Sequence, residues 1–263
     1  MNRSLKTSVA VAVSALALAS CGGTKDSAPS ASGLALVSPG TLTVCSEVPY
    51  PPFEDFDKSA ASGFKGFDID IVQAVADGLK LDLAVKDSSF DALQSGQALN
   101  AGQCDVVASA LTITAERKKN IDFSSPYYDS KQALLVPKGS AIKKIADLAG
   151  KAVGVQQATT GKSYTEKHAP KTTKIVSFPG DAEMYPALAA GQVDALLQDL
   201  PVNLEHTKNG KFVIVEQYDT NESYGLAIKK GNAALLKDVN AQLAELKSSG
   251  EYKKLYDKYF AAS

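Results

Sequence analysis

A group of hydroxyl and guanidinium side chains follows the short apolar run at residues 106–108 and could bind a carboxylate. The run is β-branched and ends in a small residue, which predicts a buried parallel strand. Thr112 and Arg117 come next, and Thr114 between them can cap a short helix that carries Glu116 in its first turn. Hydroxyls, free backbone N–H groups and a guanidinium fork at the end of a strand are suited to holding a carboxylate. For this motif alone, a capped surface helix with a solvated arginine is the alternative.

The same kind of junction occurs twice in the chain. The segment AGQCDVV at residues 101–107 is echoed by AGQVDAL at residues 190–196. Ala110 and Asp199 follow the aspartates of the two segments at equal distance, where each strand is expected to end. Two similar lobes could therefore place these ends across one crevice, which is where open α/β sheets bind ligands. Alternatively, the echo only reflects that helix–glycine–strand junctions look alike in many folds.

These positions carry the charges that would recognise both ends of a free amino acid. Arg117 and Thr112 would hold a carboxylate, and Asp199 on the other lobe would hold an ammonium group. Two or three desolvated charge-assisted hydrogen bonds, each contributing about 1.5–3 kcal/mol, together with aromatic packing could reach micromolar binding. Asp199 could instead cap the helix that begins at Leu200 and Pro201.

The elements that position these residues alternate between strands and helices. In the first half the order is strand, helix, strand, helix, strand, which is typical of an open parallel sheet. The segments are 41–47, a helix from Gly66, 81–85, a helical stretch at 90–102, and the strand at Val106. After Tyr128 the order begins again, with strands at 134–136, 152–156, 174–178, 193–198 and 224–228 and helices between them. Two amphipathic helices, at 233–247 and 252–260, close the chain.

The first 21 residues have the order of parts of a secretory signal. Arg3 and Lys6 precede an apolar stretch at residues 9–18 that is too short to span a membrane as a stable helix. The ending LASC resembles a bacterial lipobox, whose cysteine, here Cys21, is lipidated and becomes the new N-terminus. An ordinary signal peptide cut near the same place is the alternative. We expect an exported protein that is anchored by lipid to the outer face of the cell membrane.

The rest of the chain is large enough for one or two lobes and carries little net charge. Residues 22–39 are small and polar, which suits a flexible tether, and about 225 residues remain after it. Without Arg3 and Lys6 the net charge is −3, from 26 basic residues (28 minus 2) and 29 acidic residues. The sequence shows neither a basic stripe nor another apolar run of about 18 residues, which argues against nucleic acid as a partner and against a further membrane span.

The few cysteines and histidines limit the disulfides and metal sites that the chain could form. Cys45 and Cys104 remain after the signal, and the export compartment permits a disulfide between them. Both are predicted to lie in strands, whose register would hold them apart, so the sequence leaves their pairing open. The histidines, His168 and His206, have no metal-ligand spacing. We therefore expect neither a metal site nor a cofactor.

Six segments match a known pattern in the same order. They are YPPFE at 50–54, GFDID at 66–70, LTITAERKKNIDFSSPYY at 111–128, DLAGKAVGVQQATTG at 147–161, AAGQVDALLQD at 189–199 and YGLAIKKG at 224–231. With these segments the chain resembles family 3 of the bacterial extracellular solute-binding proteins, the polar amino acid-binding proteins of ABC uptake systems. The resemblance implies a two-lobe α/β fold of the type II periplasmic-binding-protein class, with an open mixed sheet flanked by helices in each lobe and a two-stranded hinge.

The resemblance also implies how the chain is divided and what it meets. Lobe 1 would contain residues 40–129 and 223–263, and lobe 2 residues 130–222. The chain would cross between the lobes near 128–131 and 220–224. We expect a monomer that closes on one free L-amino acid and then docks on an ABC-transporter permease.

The charged ends of the ligand have counterparts in the family pattern. Arg117 resembles the clamp for the α-carboxylate, assisted by Thr112 and the backbone around Thr160. Asp199 and the Ala110 carbonyl resemble the α-ammonium site. The complete set of expected ligand-binding residues is Glu47, Tyr50, Phe90, Ala110, Leu111, Thr112, Arg117, Gln156, Thr159, Thr160, Gln198 and Asp199.

The side-chain end of the site points to a cationic ligand. In the family pattern Tyr50 and Phe90 lie on either side of the ligand side chain, and Glu47 lies at its end. A carboxylate at the end of an aromatic slot favours a guanidinium or ammonium group through ion pairing and cation–π contact. We predict a basic amino acid, arginine first and then lysine, ornithine or histidine. Glutamine is the rival, because a carboxylate also accepts hydrogen bonds from an amide.

The sequence departs from the family pattern in three places. The segment from Phe90 to Asp105 is about two residues longer than is common, which leaves the register of the Phe90 helix open. Gln157-Ala158 replaces a small residue and a glycine before Thr-Thr-Gly. Gln156 and Gln198 stand at positions that vary with the ligand, and alone they fix no ligand class.

Two other functions occur on the same fold. Some relatives are periplasmic dehydratases of cyclic carboxylates, in which Glu47 could act as a general acid if its pKa were raised. The retained Asp199 and the lipobox favour transport over catalysis. Sensory ectodomains normally continue into a membrane span, and the sequence shows none after Phe260. We therefore expect a binding protein and no enzyme activity.

Overall fold

The computed structural model describes residues 34–261, which form two lobes, each built on a five-stranded sheet. The predicted signal segment, Cys21 and most of the predicted tether lie outside these residues. Leu34 and Leu36, at the end of the predicted tether 22–39, are buried in the core of the first lobe. The backbone N–H of Val37 donates to Asp105 at 2.7 Å. The end of that segment therefore packs onto the folded domain.

The regular elements of these residues alternate along the chain. The strands are β1 (Thr41–Ser46), β2 (Asp55–Phe56), β3 (Phe64–Lys65), β4 (Asp82–Asp87), β5 (Val106–Val107), β6 (Ile121–Phe123), β7 (Tyr128–Pro137), β8 (Ala152–Gln156), β9 (Lys174–Phe178), β10 (Ala195–Asp199), β11 (Phe212–Tyr224) and β12 (Ala227–Lys229). The α-helices are α1 (Phe67–Gly78), α2 (Phe90–Gln94), α3 (Gln97–Asn100), α4 (Thr160–His168), α5 (Asp181–Ala189), α6 (Leu200–Thr207), α7 (Ala233–Ser248) and α8 (Glu251–Phe260). Two 3-10 turns, Arg117–Lys119 and Ile145–Leu148, complete them.

The two sheets have the same topology. The first has the strand order β4-β1-β5-β12-β6, and the second β9-β8-β10-β7-β11. In each, the central strand (β5 or β10) has one parallel neighbour (β1 or β8) and one antiparallel neighbour (β12 or β7). Both sheets are thus open and mixed, and the predicted two-lobe fold class is confirmed.

The repeated AGQ-x-Asp junction lies in the same place in both sheets. Asp105 donates its N–H to Thr43 O at 2.8 Å and accepts the Thr43 N–H on Oδ2 at 2.9 Å. Asp194 does the same with Ala152, at 2.8 and 2.7 Å. Each aspartate therefore ties the central strand to its parallel neighbour, and the echo in the sequence is a structural equivalence.

Helix α1 has the apolar face that its periodicity predicts. Ile71, Val72 and Val75 are buried in the core that α1 forms with the first sheet and with α7 and α8. The apolar face is built because these residues recur at helical spacing and lie on one side of the helix. The strands β1 and β5, whose carboxyl ends lie at the predicted site, pack against α1 in this core.

Two predicted helices have a different form. The stretch 90–102 is two short helices that meet at Gly96, whose φ of 80° is left-handed. A Cβ at Gly96 would lie 2.6 Å from Ile121 Cγ2, so only glycine fits where the helix breaks. The helix after Thr114 is a single 3-10 turn, although Thr114 Oγ1 does accept the N–H of Arg117 at 3.1 Å.

Two predicted strands are also wrong in extent. The short strand predicted at 134–136 is the middle of β7, which pairs antiparallel with β11 from Tyr128–Tyr224 to Pro137–Phe212. The strand predicted at 224–228 is divided between the end of β11 and β12. Both β7 and β11 run between the lobes and carry polar residues there. A search for apolar runs therefore does not find their full extent.

Cys45 and Cys104 form a disulfide with a Cα–Cα distance of 5.7 Å. Cys104 precedes β5 instead of lying in it, so the register of the strands does not separate the two residues. Both cysteines are buried in an apolar cluster of the first lobe. Residues 34–261 include no helix that is long and apolar enough to cross a membrane, and no group of three or more acidic, histidine or cysteine side chains that could hold a metal ion.

Candidate functional site

A cleft lies between the lobes, at the carboxyl ends of the central strands of both sheets. The first lobe lines it with Glu47, Tyr50, Phe90, Ser109, Ala110, Thr112 and Arg117. The second lobe contributes Gln132, Gln156, Thr159, Thr160, Gly161, Gln198 and Asp199. The residues come from separate loops, and they meet because β1, β5, β8 and β10 all end at this edge.

Arg117 is a buried cation that uses only part of its hydrogen-bonding capacity. It is 5% exposed, and its Nη1 and Nη2 donate to the carbonyls of Thr112 (2.8 Å) and Ala158 (3.1 Å). Burial lowers the pKa of Arg117 to about 10, so the group stays charged at neutral pH. None of the salt bridges within residues 34–261 involves Arg117. A buried charge without an ion-pair partner is costly, and the remaining N–H groups can bind an anion.

The Asp199 carboxylate faces Arg117 from the second lobe. Asp199 has the N-cap position of α6, but its side chain makes no capping hydrogen bond. It accepts hydrogen bonds from the hydroxyls of Tyr50 (3.1 Å) and Tyr224 and from the Gln132 amide. Burial and then the charge of Glu222 raise the pKa of Asp199 to about 6. Because all three donors are neutral, an ammonium group would supply the positive charge that this carboxylate lacks.

Glu47 marks the other end of the cleft, and this end is acidic. Gln156 Nε2 donates to Glu47 Oε2 at 2.6 Å. Burial raises the pKa of Glu47 to about 7; the hydrogen bond from Gln156 opposes this shift, and the charges of Asp181, Asp87 and Glu183 add to it. Several carboxylates therefore surround one point, where a cationic side chain would be stabilised.

The two aromatic residues line the cleft between these ends. Phe90 and Tyr50 are each 8% exposed. The guanidinium carbon of Arg117 lies 5.3 Å from the centroid of the Phe90 ring, which is within cation–π distance. Phe90 therefore supports the guanidinium, and Tyr50 supports Asp199 through its hydroxyl.

The N-terminus of α4 reaches the cleft from the second lobe. Thr159 is its N-cap and accepts the N–H of Lys162 at 3.1 Å, while its own hydroxyl donates to Gln156 O at 2.7 Å. A Cβ at Gly161 would lie 2.8 Å from Gln132 Oε1 and 3.3 Å from the Leu197 carbonyl. Glycine is thus required for α4 to approach β10 this closely.

Three of the contacts above join the lobes across the cleft: Glu47 with Gln156, Tyr50 with Asp199, and Arg117 with Ala158. The lobes are therefore closed on each other, and the two charged ends of the site lie within one enclosed space. With Arg117 on one side of the cleft, Asp199 opposite and the acidic group around Glu47, the arrangement has the charges that could receive a small zwitterion.

The family of the chain follows from its match to known sequences. Residues 42–262 match the model of the bacterial extracellular solute-binding proteins, family 3. The chain belongs to this family.

Relatives whose names state an amino acid ligand resemble this solute-binding protein over most of their length. A probable histidine-binding protein of Neisseria gonorrhoeae is 36% identical, over 99% of this chain and 97% of the relative. A glutamine-binding protein of an ABC transporter from Bacillus subtilis is 37% identical, over 77% of this chain and 75% of the relative. The structure of an ancestral arginine-binding protein bound to arginine matches with a TM-score of 0.79 and 40% identity, over 84% of this chain and 99% of the other.

The structure brings together all the residues of the predicted ligand-binding set except one. Leu111 is fully buried in an apolar cluster of the first lobe and does not line the cleft. The side chains of successive extended residues point to opposite sides, which places the Leu111 side chain away from the cleft that Thr112 lines. Sequence reasoning missed three lining residues: Ser109, Gln132 and Gly161. Ser109 could have been found beside Ala110, whereas Gln132 lies in the part of β7 that was not predicted.

Glu222 is a further acidic residue beside the cleft that sequence reasoning missed. It lies on β11 and is 9% exposed. It accepts hydrogen bonds from the hydroxyls of Thr112 (3.1 Å) and Thr160 (2.8 Å) and from the Gln132 amide (3.3 Å). Glu222 thus contacts residues of both lobes, and no apolar periodicity marks it in the sequence.

The departure from the family pattern at Ala158 has a structural consequence. Ala158 has a φ of 61°, in the left-handed region that favours glycine, and Ala110 in the first lobe has a φ of 43°. Both alanines follow a strand end at the cleft. Each is held there by one hydrogen bond: Ala110 N–H donates to Asp68 at 2.8 Å, and Ala158 O accepts from Arg117.

Proposed function

We propose that this protein binds one free L-amino acid between its lobes and delivers it to the permease of an ABC transporter. The observation that carries the proposal is the buried guanidinium of Arg117, which has no carboxylate as ion-pair partner among residues 34–261 and faces Asp199 across the cleft. A ligand carboxylate would pair with Arg117, and a ligand ammonium group with Asp199 and the Ala110 carbonyl.

The ligand is a basic amino acid, with arginine before lysine, ornithine and histidine. Support comes from the far end of the cleft, where Asp181, Asp87 and Glu183 reinforce the negative field at Glu47. A guanidinium at Glu47 would replace the proton that burial favours there and would satisfy the carboxylate by a charge-assisted hydrogen bond. Gln156 and Gln198 line the same region and keep glutamine as the rival ligand.

Binding proceeds by hinged closure without covalent chemistry. The first lobe would hold the ligand through Arg117, Thr112 and the aromatic residues. Asp199 and the α4 N-terminus would arrive with the second lobe, so the ligand stabilises the closed form by contacts that the open form lacks.

The hinge would consist of the ends of β7 and β11. Residues 40–129 with 223–263 would move as one lobe, and residues 130–222 as the other. This division is supported by sheet membership, since β12 returns to the first sheet directly after β11. Register shifts in β11 near Tyr218 and Glu222 mark the place where the ribbon is irregular.

A thermal-shift screen of the purified protein against the twenty amino acids, ornithine and citrulline tests the proposal. A ligand at 100 times its dissociation constant stabilises the folded state by about 2.7 kcal/mol, which raises the melting temperature by several degrees. We expect shifts with arginine, lysine or ornithine and none with citrulline, the neutral analogue of arginine.

Three results would contradict the proposal in part or as a whole. A shift with glutamine alone would retain amino acid binding and exclude a cationic ligand. Equal shifts with arginine and citrulline would exclude recognition of charge at Glu47. The absence of a shift in melting temperature with every compound of the panel would contradict amino acid binding itself.

A dehydratase of cyclic carboxylates is the second candidate, because a buried glutamate with a pKa of about 7 could donate a proton at neutral pH. The relatives reported above are binding proteins, and the buried Asp199 carboxylate suits an ammonium group, which dehydration of a cyclic carboxylate does not require, so binding without catalysis is the better-supported function. Turnover of a cyclic carboxylate that is lost in Glu47→Gln would establish the enzyme instead.

Export and lipid anchoring at Cys21 complete the proposal. They rest on the order of parts in residues 1–21 and on the extracellular character of the family. The protein would act as a monomer on the outer face of the membrane. Expression of Cys21→Ala should release the protein from the membrane fraction; if the variant stays there as the wild type does, lipidation at Cys21 is excluded.

A further inference from the structure

Two acidic side chains are completely buried beneath the cleft, and neither belongs to the proposed ligand contacts. Glu54 and Asp68 are both 0% exposed. They come from two of the family segments, YPPFE and GFDID. Among residues 34–261, neither forms a salt bridge. Two adjacent buried charges without a cation would be very unfavourable.

The backbone holds the two segments side by side. Phe67 N–H donates to Pro52 O at 2.9 Å, and Asp68 N–H donates to Phe53 O at 3.0 Å. A Cβ at Gly66 would lie 2.1 Å from Phe53 O, so glycine is required for this close approach. The carboxyl groups of Glu54 and Asp68 therefore lie on neighbouring stretches of chain.

Each carboxyl group has one oxygen with hydrogen-bond partners and one without. Glu54 Oε1 accepts from the Ser109 hydroxyl at 2.7 Å, and Asp68 Oδ2 accepts from Ala110 N–H at 2.8 Å and from the Tyr127 hydroxyl at 2.7 Å. Glu54 Oε2 and Asp68 Oδ1 are buried and have no partner among the described residues. A proton between these two oxygens would satisfy both.

The other oxygens hold the loop that lines the ligand site. Ser109 links Glu54 to the backbone of Glu47, whose N–H donates to Ser109 Oγ at 3.0 Å. Asp68 holds the N–H of Ala110, which has a left-handed φ of 43°. Asp68 is thus bonded to Ala110, whose carbonyl would receive the ammonium group, and Glu54 is linked through Ser109 to Glu47, which would meet the ligand side chain.

We propose that Glu54 and Asp68 share one proton and act as positioning residues, which hold the Ser109–Ala110 turn and the Glu47 backbone in the geometry that receives the ligand. The part of this proposal that concerns ligand affinity rests on the proposed function; the shared proton does not. Glu54 carries the proton and donates it to Asp68 Oδ1, since Asp68 Oδ2 already accepts from two donors.

The electrostatics of the pair agree with this assignment. Burial and the charge of Asp68 raise the pKa of Glu54 well above its usual range, and burial raises the pKa of Asp68 to about 7. The titratable groups that face the pair are Glu47, Asp199, Tyr127 and Tyr252. All are acids or phenols, so none of them supplies a positive charge that would favour two ionised carboxylates.

The pH dependence of stability in Glu54→Gln tests the shared proton. The glutamine amide can donate permanently to Asp68 Oδ1 while its oxygen accepts from Ser109. In the wild type the folded state binds more protons than the unfolded state, so its stability should fall as pH rises from the ordinary carboxyl pKa of about 4 towards the raised pKa of Glu54. We expect the melting temperature of E54Q minus that of the wild type to increase by a few degrees between pH 5 and pH 8.

Glu47 and Asp199 titrate in both proteins, so the difference isolates the pair. Glu116→Gln, which removes an exposed carboxyl with 78% of its side chain accessible, is the matched control and should follow the wild-type profile. Asp68→Asn is the second variant, because its amide can donate to Glu54 Oε2. Parallel profiles of E54Q and the wild type would overturn the shared proton, and so would failure of both E54Q and D68N to fold.

Positioning is tested by the affinity for L-arginine at pH 6. Glu54→Leu removes the acceptor of Ser109 and should weaken binding by about tenfold, whereas E54Q should stay within about threefold of the wild type. Ser109→Ala, which cuts the same link, replaces E54L if that variant does not fold. Equal affinities of E54L and E54Q would overturn the positioning role. If the wild type itself does not bind L-arginine, the proposed ligand fails while the stability test still decides the shared proton.

Discussion

The two lobes share one sheet topology but prepare their sides of the cleft differently. In both, an aspartate ties the central strand to its parallel neighbour, and an alanine with positive φ follows a strand at the cleft. The first lobe adds a disulfide, a pair of buried acids and Arg117. The second lobe contains no cysteine between residues 130 and 222 and contributes Asp199 and a helix N-terminus.

The difference suggests a division of labour between similar folds. In the first lobe, the disulfide and the hydrogen bonds of Glu54 and Asp68 hold the residues that line the cleft. In the proposed function, the second lobe would bring Asp199 as the complementary charge when the lobes close. Substitutions in both lobes test this difference.

Loss of the cation in the first lobe should affect binding more than loss of the acid in the second. Arg117→Met should weaken binding of the amino acid by about 100-fold or more, because two charge-assisted hydrogen bonds are lost. Asp199→Asn should weaken it by about 10-fold, mainly through faster dissociation from a less stable closed form. Isothermal titration and stopped-flow dissociation would measure both. A larger loss in Asp199→Asn would reverse the assigned roles of the lobes.

Removal of the disulfide should destabilise the first lobe alone. The double variant Cys45→Ala with Cys104→Ala opens a loop of 59 residues and should lower the free energy of unfolding by about 2–4 kcal/mol. Hydrogen exchange should become faster for amides of β1 and β5, with those of β8 and β10 unchanged. Equal acceleration in both sheets would show that the lobes do not unfold separately.

The two strand-tying aspartates should differ in their sensitivity to amidation. Asp105 accepts N–H groups of Val37 and Thr43 on separate oxygens, whereas Asp194 accepts only that of Ala152. Asp105→Asn loses one acceptor and should destabilise by about 1–2 kcal/mol, and Asp194→Asn, whose remaining oxygen can rotate into place, by about 0.5 kcal/mol. Urea unfolding of both variants checks the order, which a greater loss in Asp194→Asn would contradict.

The acids of the two lobes should titrate at different pH. A cationic ligand binds the ionised form of Glu47, whose pKa is about 7, so affinity for L-arginine should rise by about tenfold between pH 6 and pH 8 and then level off. In Glu47→Gln this rise should disappear, leaving only the dependence below about pH 6 that comes from Asp199. A wild-type affinity that falls over this range would exclude an ionised Glu47 as the partner of the ligand.

A modest stabilisation is expected at the left-handed alanine of the second lobe. Ala158→Gly should stabilise the protein by about 1 kcal/mol, since glycine adopts the φ of 61° without steric cost. Gly139, at a φ of 87°, has open space around its Cα, and Gly139→Ala is the reverse control that should destabilise. Thermal unfolding of the two variants should give shifts of opposite sign.

Much of the site could be predicted because it lies at strand ends that short motifs mark. Arg117 and Thr112 follow an apolar run, and Asp199 ends another, so residue type and position indicated their roles. A motif does not show which side of the backbone a side chain takes, and the structure places the Leu111 side chain in the apolar core of the first lobe. Glu222 and Gln132 were missed because they lie on the polar ribbon of β7 and β11, which has no apolar periodicity.

Local patterns along the chain predicted the fold class, the charged residues that line the cleft and the repeated AGQ-x-Asp junction, whose structural equivalence the strand hydrogen bonds confirm. Only the tertiary structure decided that Cys45 and Cys104 pair, that Glu54 and Asp68 lie together beneath the cleft, and that Glu222 contacts both lobes. The physical reason is that burial and proximity arise from the packing of distant segments. Burial and nearby charges in turn set the pKa of each carboxyl group, and so decide which groups stay protonated and which are ionised.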